Sequence, residues 1–186
     1  MDLGSLKLNG FDIFLFGTPG LLRFSVMRDV VADGADGIIF LFDAANPESD
    51  KDAISILNQI RKLLKPNSPI VFAANKQDLP NARAPEVVKA QNNLPGSSKM
   101  FGTSTKTGKN VHESLKYLTN QIFDNYKETL EIMRKYETDI RGLADTLKMN
   151  KEEIRNFLNN LELKRFIEID RIKKTYRVKK GLKNLI

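Results

Sequence analysis

The sequence contains no cysteine and no tryptophan, and only one of its 186 residues is a histidine, His112. The absence of cysteine excludes a disulfide framework, a thiolate metal site and a thiol nucleophile. A single histidine argues against a zinc site and against a histidine-based catalytic triad. The composition therefore predicts no catalytic residue and no metal site of these kinds, and His112, which lies in a helical pattern, is expected to face solvent.

Long apolar runs are absent as well. No segment approaches the roughly 20 apolar residues that a membrane-spanning helix needs, and the amino terminus lacks the pattern of a secretory signal peptide. We therefore predict a cytoplasmic protein without a membrane partner. Apolar residues still make up 41% of the chain, which is enough for the core of one large or two small domains.

The net charge of +7 is concentrated at one end of the chain. Residues 126–186 carry 16 Lys and Arg against 10 Asp and Glu, whereas residues 1–125 carry 14 against 13. The surplus is thus +6 in the last third and +1 in the rest. A partner that is attracted by positive charge is therefore expected to bind the carboxyl-terminal part.

Short apolar runs alternate with helical patterns through the first two-thirds of the chain. Residues 11–16 are predicted to form a short strand of a hairpin. The apolar runs at residues 37–42 and 70–74 are too short for helices and are rich in β-branched and aromatic residues, which predicts buried strands. An Asn-Gly pair at 9–10 predicts a hairpin turn, and an Asn-Pro pair at 46–47 predicts a capped helix start. Strands that alternate with helices favour a mostly parallel α/β sheet.

A polar stretch, from Asn75 to Pro80, directly follows the third of these strands. In an open parallel sheet, ligands bind beyond the carboxyl ends of the strands. The carboxylate of Asp78 can accept two hydrogen bonds from guanine, whereas adenine has no such pair of donors and would leave the carboxylate unpaired. The long apolar stem of Lys76 can lie flat on a base. The stretch therefore predicts recognition of guanine.

At these residues the chain resembles a known family. The run Asn-Lys-Gln-Asp at 75–78 resembles the guanine-specificity motif of small GTPases, and residues 74–82 are similar to the Arf-related branch. Residues 103–108 resemble the family's second base-binding loop, and residues 17–20 resemble its phosphate-sensing switch loop. The chain is thus similar to Ras- and Arf-related small GTPases of the P-loop NTPase superfamily over about residues 2–124.

The resemblance implies a guanine nucleotide, GTP or GDP, as ligand. It implies a base site formed by Asn75, Lys76, Asp78, Ser104, Thr105 and Lys106. Within that site, backbone N–H groups of the second loop would donate to the base, and the apolar part of its lysine side chain would pack against the base. It also implies a mobile switch loop formed by Gly17, Thr18, Pro19 and Gly20.

The family's phosphate-binding loop, Gly-x-x-x-x-Gly-Lys-Ser/Thr, occurs nowhere in the sequence. In the family this loop cradles the phosphates and holds magnesium. The family also has aspartate where Gly17 stands and often glutamine where Leu21 stands. We therefore expect base recognition without hydrolysis, weak or absent GTP binding by this chain alone, and magnesium only together with a missing segment.

The resemblance also predicts a gap in the sheet. In the family, the first strand lies between the strands that match residues 13–16 and 37–42. Without it, both strands lose a partner. We expect a truncated chain whose first strand, phosphate loop, first helix and first switch lie upstream of Met1; the alternative is that something else fills the gap.

Residues 125–186 show a different pattern, with three short helical stretches followed by two alternating stretches around a basic turn. Asn150 with Glu153 three residues later predicts a reciprocal helix cap. The order of these elements resembles a winged helix-turn-helix module. We therefore predict two domains: a small-GTPase-like domain over residues 1–124 that lacks its first elements, and a small winged-helix α+β domain over residues 125–186.

Two kinds of partner, nucleic acid and protein, are compatible with the second domain. Nucleic acid would be contacted by the basic turn and the third helix, through Arg171, Lys173, Lys174, Arg155 and Asn156. Two acidic residues at 152–153 would repel phosphate, and winged helices also bind proteins. Three functions therefore compete: a signalling switch of the GTPase type whose last domain binds a partner protein, a nucleotide-free pseudo-GTPase scaffold, and a DNA-binding regulator.

Overall fold

The structure is a computed structural model that describes residues 2–8, 11–20 and 22–179. The chain divides into two compact units. The first contains residues 1–2 and 16–122, and the second contains residues 3–15 and 123–186. The expected boundary between residues 124 and 125 stays a prediction, since the units also assign residues 3–15 to the second part of the chain.

The first unit is built on a three-stranded sheet. Its strands are β3 (Ile38–Asp43), β4 (Ile70–Asn75) and β5 (Met100–Gly102), in that order and all parallel. Phe72 pairs with Phe40 on one side and with Met100 on the other. The prediction of an α/β fold with a parallel sheet is therefore confirmed.

Four helices accompany this sheet along the chain. They are α1 (Ser25–Gly34), α2 (Asp50–Arg61), α3 (Pro85–Gln91) and α4 (Val111–Lys135), the last of which belongs to the first unit up to residue 122. His112 in the first turn of α4 is exposed, as predicted. No helix among the described residues has both the length and the apolar character that crossing a membrane requires.

Alternating side chains of β3 and β4 form the core of the first unit. The rings of Phe40, Phe42 and Phe72 lie with their centroids 5.2 to 6.3 Å apart. Leu57 of α2 and Val88 of α3 are almost fully buried in the same cluster. Burial of these large apolar side chains is the main favourable term that holds the helices on the sheet.

The strand β3 is an edge strand in the described part of the chain. The N–H groups of Ile38 and Ala44 donate to carbonyls of the β4 side, at 3.0 and 3.1 Å. No strand pairs with the opposite edge of β3 among the described residues, and Leu41 is 50% exposed. The expected gap in the sheet and the upstream segment that would fill it stay predictions.

The first two strands form a separate two-stranded sheet, with β1 at Asp2–Leu8 and β2 at Phe11–Gly17. The hairpin turn predicted at residues 9–10 lies outside the described residues, as does Leu21. The capped helix start predicted at residues 46–47 is wrong in detail. Asn46 makes no side-chain cap, and a short 3-10 turn precedes α2, which begins at Asp50.

The second unit contains two short helices and a hairpin beside the end of α4. The helices are α5 (Ile140–Leu147) and α6 (Lys151–Leu163), and the hairpin pairs β6 (Ile167–Asp170) with β7 (Thr175–Val178) in antiparallel fashion. The reciprocal cap is confirmed. The Asn150 carboxamide oxygen accepts from the Glu153 N–H at 3.0 Å, and the Glu153 carboxylate accepts from the Asn150 N–H at 2.7 Å.

The core of this unit forms around Leu143, Leu158 and Tyr176, which are buried. The phenol of Tyr176 donates to the Met133 carbonyl at 2.7 Å, and burial raises the pKa of this phenol, with the charge of Glu137 as a second cause. Phe157 packs against this core and is only partly buried.

Leu143→Ala is expected to lower the free energy of unfolding of the second unit by about 2–5 kcal/mol, because Leu143 is fully buried and its truncation leaves a cavity. Urea unfolding of the whole chain, followed by tyrosine fluorescence, measures it, since three of the four tyrosines lie beyond residue 122. Ile172→Ala serves as the control, because Ile172 is 94% exposed. Equal effects of the two substitutions would contradict this description of the core.

Candidate functional site

The carboxyl ends of the three parallel strands bring the two predicted base loops together. The Thr103 N–H donates to the Ala74 carbonyl, and the Gln77 N–H donates to the Thr103 carbonyl, both at 3.0 Å. Gly102 allows close packing of β5 against the start of α3 and against the Gln77 side chain, because a Cβ at that position would lie 2.9 Å from Cγ of Pro85 and 3.4 Å from Cγ of Gln77. The loops that follow β4 and β5 therefore form one edge of the sheet.

Asn75 joins these loops. Its side-chain oxygen accepts from the Thr105 N–H and from the Thr103 hydroxyl, each at 3.2 Å. Its side-chain N–H lies 3.5 Å from the Thr105 hydroxyl. Asn75 thus holds the second loop against the first, which is a positioning role in addition to the base contact that the sequence predicts.

Asp78 presents the carboxylate of the site. The hydroxyl of Ser104, a residue with no exposed surface, donates to this carboxylate at 2.6 Å and accepts from the Thr107 N–H at 3.2 Å. The Ser104 hydrogen bond lowers the pKa of Asp78, and the charges of Lys106 and Lys76 lower it further. Asp78 itself is exposed. An ionised and accessible carboxylate is therefore held in one orientation at neutral pH.

The backbone of the second loop is partly occupied by contacts within the protein. The Ser104 N–H donates to the Lys109 carbonyl at 3.1 Å, and the Thr105 N–H donates to Asn75. Lys106, the third residue predicted for this loop, is exposed, and its contact with the base stays a prediction. The sequence did not indicate the two backbone hydrogen bonds, because both depend on how the loop closes on itself and on β4.

Lys76 stands in an unusual conformation beside Asp78. Its φ is +69°, in the left-handed region that non-glycine residues rarely adopt. Its ammonium nitrogen lies 2.6 Å from a carboxylate oxygen of Asp43, the last residue of β3. Sequence reasoning missed Asp43 as part of the site, although its position at the carboxyl end of a neighbouring parallel strand is a signal that could have found it.

Arg83 is a second residue that sequence reasoning missed. Its guanidinium binds Asp50 at the start of α2 through two bonds of 2.6 and 2.9 Å, and the carbonyl oxygens of Asp43 and Ala44 at 3.1 Å each. It also donates to the Gln91 side chain at 2.7 Å. Arg83 thereby joins the base loop to β3, α2 and α3.

The pKa of Asp50 depends on its hydrogen bonds with Arg83. Burial would raise the pKa of Asp50, but the hydrogen bonds from Arg83 and Asn92 outweigh burial, so that the pKa lies below its usual value. The side chains of Arg83 and Asp50 are 12% and 15% exposed. No local sequence signal predicts the pair, because its members are 33 residues apart.

The predicted switch loop follows β2. Gly17 is the last residue of that strand, and Thr18, Pro19 and Gly20 continue without regular structure. The guanidinium of Arg28 in α1 donates to the Pro19 carbonyl at 3.0 Å, and Arg28 is 2% exposed. The loop is therefore attached to α1 at its third residue.

Magnesium does not fit the residues of this loop. Gly17 offers no carboxylate, and the part of the chain that the structure describes has no group of three histidine, cysteine, aspartate or glutamate side chains that could hold a metal ion. The donor set that Mg²⁺ prefers, one or two carboxylates with phosphate oxygens, is not provided there. No chemical step at a metal ion is therefore assigned to these residues.

The candidate nucleic-acid residues of the second unit are only partly available. Arg155 and Asn156 of α6 are exposed, as are Lys173 and Lys174 in the turn between β6 and β7. The guanidinium of Arg171, however, binds the carboxylate of Glu162 at 2.5 and 3.2 Å. This ion pair neutralises one of the three basic residues of the turn.

A three-stranded parallel sheet with two polar loops at its carboxyl edge is consistent with a Ras-like GTPase fold. Residues 6–124 match the Ras family, and because they make up more than half of the chain, this protein belongs to that family. One similar protein is the intraflagellar transport protein 27 homolog of Bos taurus. The two are 28% identical over 125 residues, which cover 66% of this chain and 67% of that relative.

Proposed function

We propose that this Ras-family protein recognises the guanine base through the carboxylate of Asp78. The observation that carries the proposal is the 2.6 Å hydrogen bond from the buried Ser104, which aims an exposed and ionised carboxylate away from the protein. Lys76 and Lys106 are close enough to lower the pKa of that carboxylate. Their stems provide apolar surface beside it for a flat base.

Guanine is preferred for a reason of hydrogen bonding. Its ring N–H and exocyclic amine can both donate to one carboxylate, and bonds to an ionised acceptor are about twice as strong as neutral ones. Adenine cannot supply this pair of donors. It would also displace water from the Asp78 carboxylate without supplying donors of its own, so that the acceptor sites not used by Ser104 are left unpaired, which is the source of strong rejection in such sites.

This chain provides fewer binding groups for the phosphates than for the base. No Gly-x-x-x-x-Gly-Lys-Ser/Thr loop occurs in the sequence, and Gly17 stands where the family has its metal-linked aspartate. We propose that these residues alone bind GTP or GDP weakly and do not hydrolyse GTP. Base recognition is then the activity that the chain itself can provide.

Titration of the ¹⁵N-labelled chain with guanosine and with adenosine tests the base site without involving phosphates. Guanosine is expected to shift the amide signals of the two base loops, and adenosine at equal concentration is expected to leave them in place. A response of equal size to both nucleosides would refute recognition of guanine. Shifts confined to the second unit would place the binding elsewhere.

A second function is proposed for residues 125–186, as a winged helix-turn-helix module that contacts a protein rather than nucleic acid. The exposed Leu163 and Ile172, at 84% and 94%, support the protein contact. The Arg171–Glu162 ion pair and the acidic first turn of α6 oppose phosphate binding.

Measuring the binding of duplex DNA distinguishes between a protein and a nucleic acid as the partner of this module. Only weak binding that falls steeply with salt is expected, because the surplus charge attracts phosphate without reading sequence. Changing Lys173 and Lys174 together to alanine is expected to reduce that binding and its salt slope. Tight binding to one sequence that survives at physiological salt would support the DNA-binding regulator instead.

A further inference from the structure

We propose that Asp43 is a positioning residue of the guanine site, which holds the ammonium of Lys76 so that the lysine stem is in place before the base arrives. The inference rests on the proposed function, because it concerns the same site. It assigns a role to a residue outside both base loops, at the end of a different strand.

The first observation is the contact itself. The Lys76 ammonium lies 2.6 Å from Asp43, and the two side chains are 49% and 25% exposed. A free lysine side chain samples many rotamers, and fixing one costs rotamer entropy that a ligand would otherwise have to offset. An ion pair that is already formed removes part of that cost from the binding step.

The second observation is that Asp43 is itself fixed on several sides. Its second carboxylate oxygen accepts from the Ala45 N–H at 3.1 Å, and its carbonyl accepts from Arg83 at 3.1 Å. In the ladder it lies opposite Asn75, the residue before Lys76. The parallel register therefore sets the distance between Asp43 and the lysine.

The third observation is the backbone of Lys76. A left-handed conformation at a non-glycine residue carries strain and persists only where the surroundings enforce it. Strain of this kind concentrates at ligand sites. The strained backbone and the ion pair both restrict the same side chain, and the Lys76 stem is the part of the site on which a base would lie.

Asp43→Asn tests the proposal. The carboxamide oxygen can still accept from the Ala45 N–H, so the substitution removes the charge that holds Lys76 and keeps this backbone contact. Guanosine affinity is expected to fall about fivefold, as for a partly exposed ion pair, with an unchanged melting temperature. Glu48→Gln is the matched control, because Glu48 is an exposed acid of the following turn, and it is expected to change neither quantity.

The same substitution in a Lys76→Met variant distinguishes a positioning role of Asp43 from a general effect on the structure. Lys76→Met keeps an apolar stem and removes the ammonium, so Asp43→Asn is expected to have no further effect on guanosine affinity in that variant. Equal losses in both backgrounds, or no loss in the wild type, would overturn the role of Asp43 while guanine recognition stands. A wild type that does not prefer guanosine would instead refute the proposed function, and the inference with it.

Discussion

Arg83→Met is expected to lower the free energy of unfolding of the first unit by about 3 kcal/mol. Removal of one member of a largely buried ion pair leaves the other charge without compensation, and such losses are typically 3–5 kcal/mol. We expect a loss at the lower end of this range, because 15% of the Asp50 side chain is exposed. Methionine keeps much of the apolar stem, so the loss reflects the missing donors to Asp50, Asp43 and Ala44.

Chemical unfolding of the whole chain, followed by far-ultraviolet circular dichroism, measures this loss. Arg61→Met is the matched control, because Arg61 is exposed in the last turn of α2 and contributes only through the helix dipole. An Arg83 variant as stable as the Arg61 variant would show that the guanidinium does not hold the base loop to its neighbours.

The stability lost in Arg83→Met is expected to depend on pH in one direction. The folded protein has a lowered pKa at Asp50, so the stability that this carboxylate contributes is fully present above its unfolded pKa of about 3.9. That stability is lost as the pH falls through the lowered value. In Arg83→Met, burial without the guanidinium is expected to raise the pKa of Asp50, so the difference in stability between wild type and variant is expected to be constant near neutral pH and to shrink as the solution becomes acidic.

Asp78→Ala is expected to abolish the preference for guanosine, bringing the ratio of guanosine to adenosine affinity to about one. Alanine removes the acceptor of both guanine donors, and the Ser104 hydroxyl loses its partner as well. Because Asp78 is exposed, the folded structure should remain. Nucleoside titrations by NMR measure both affinities on the same sample.

Asp145→Ala controls for the change in net charge, since Asp145 is an exposed aspartate in the second unit. It is expected to leave the ratio as it is in the wild type. If Asp78→Ala binds guanosine with unchanged preference, the recognition of guanine belongs to another part of the chain. If Asp145→Ala loses the preference too, the effect is one of overall charge.

Local patterns were sufficient to predict the strands of the parallel sheet and most of the helices. Strands such as β3 and β4 follow from short runs of β-branched and aromatic residues, and the cap at Asn150 follows from the residue three positions later. The role proposed for Asp78 follows from its side chain and its position after a buried strand. Each of these signals involves residues that are close in the chain, which is why sequence alone determines them.

The partners of the site residues depended on the tertiary structure. Lys76 meets Asp43, 33 residues away, because β3 and β4 pair in parallel with Asp43 opposite Asn75. Ser104 is buried under Asp78 because the loop after β5 closes on the loop after β4.

The sequence by itself therefore predicted which residues would carry base recognition, because a carboxylate after a buried strand offers the same acceptors wherever the strand lies. Only the tertiary structure decided what holds them. The Arg83–Asp50 pair and the Lys76–Asp43 pair each span 33 residues, and no periodicity or cap encodes a contact of that separation. Such contacts exist only once the sheet register has brought the ends of distant strands together.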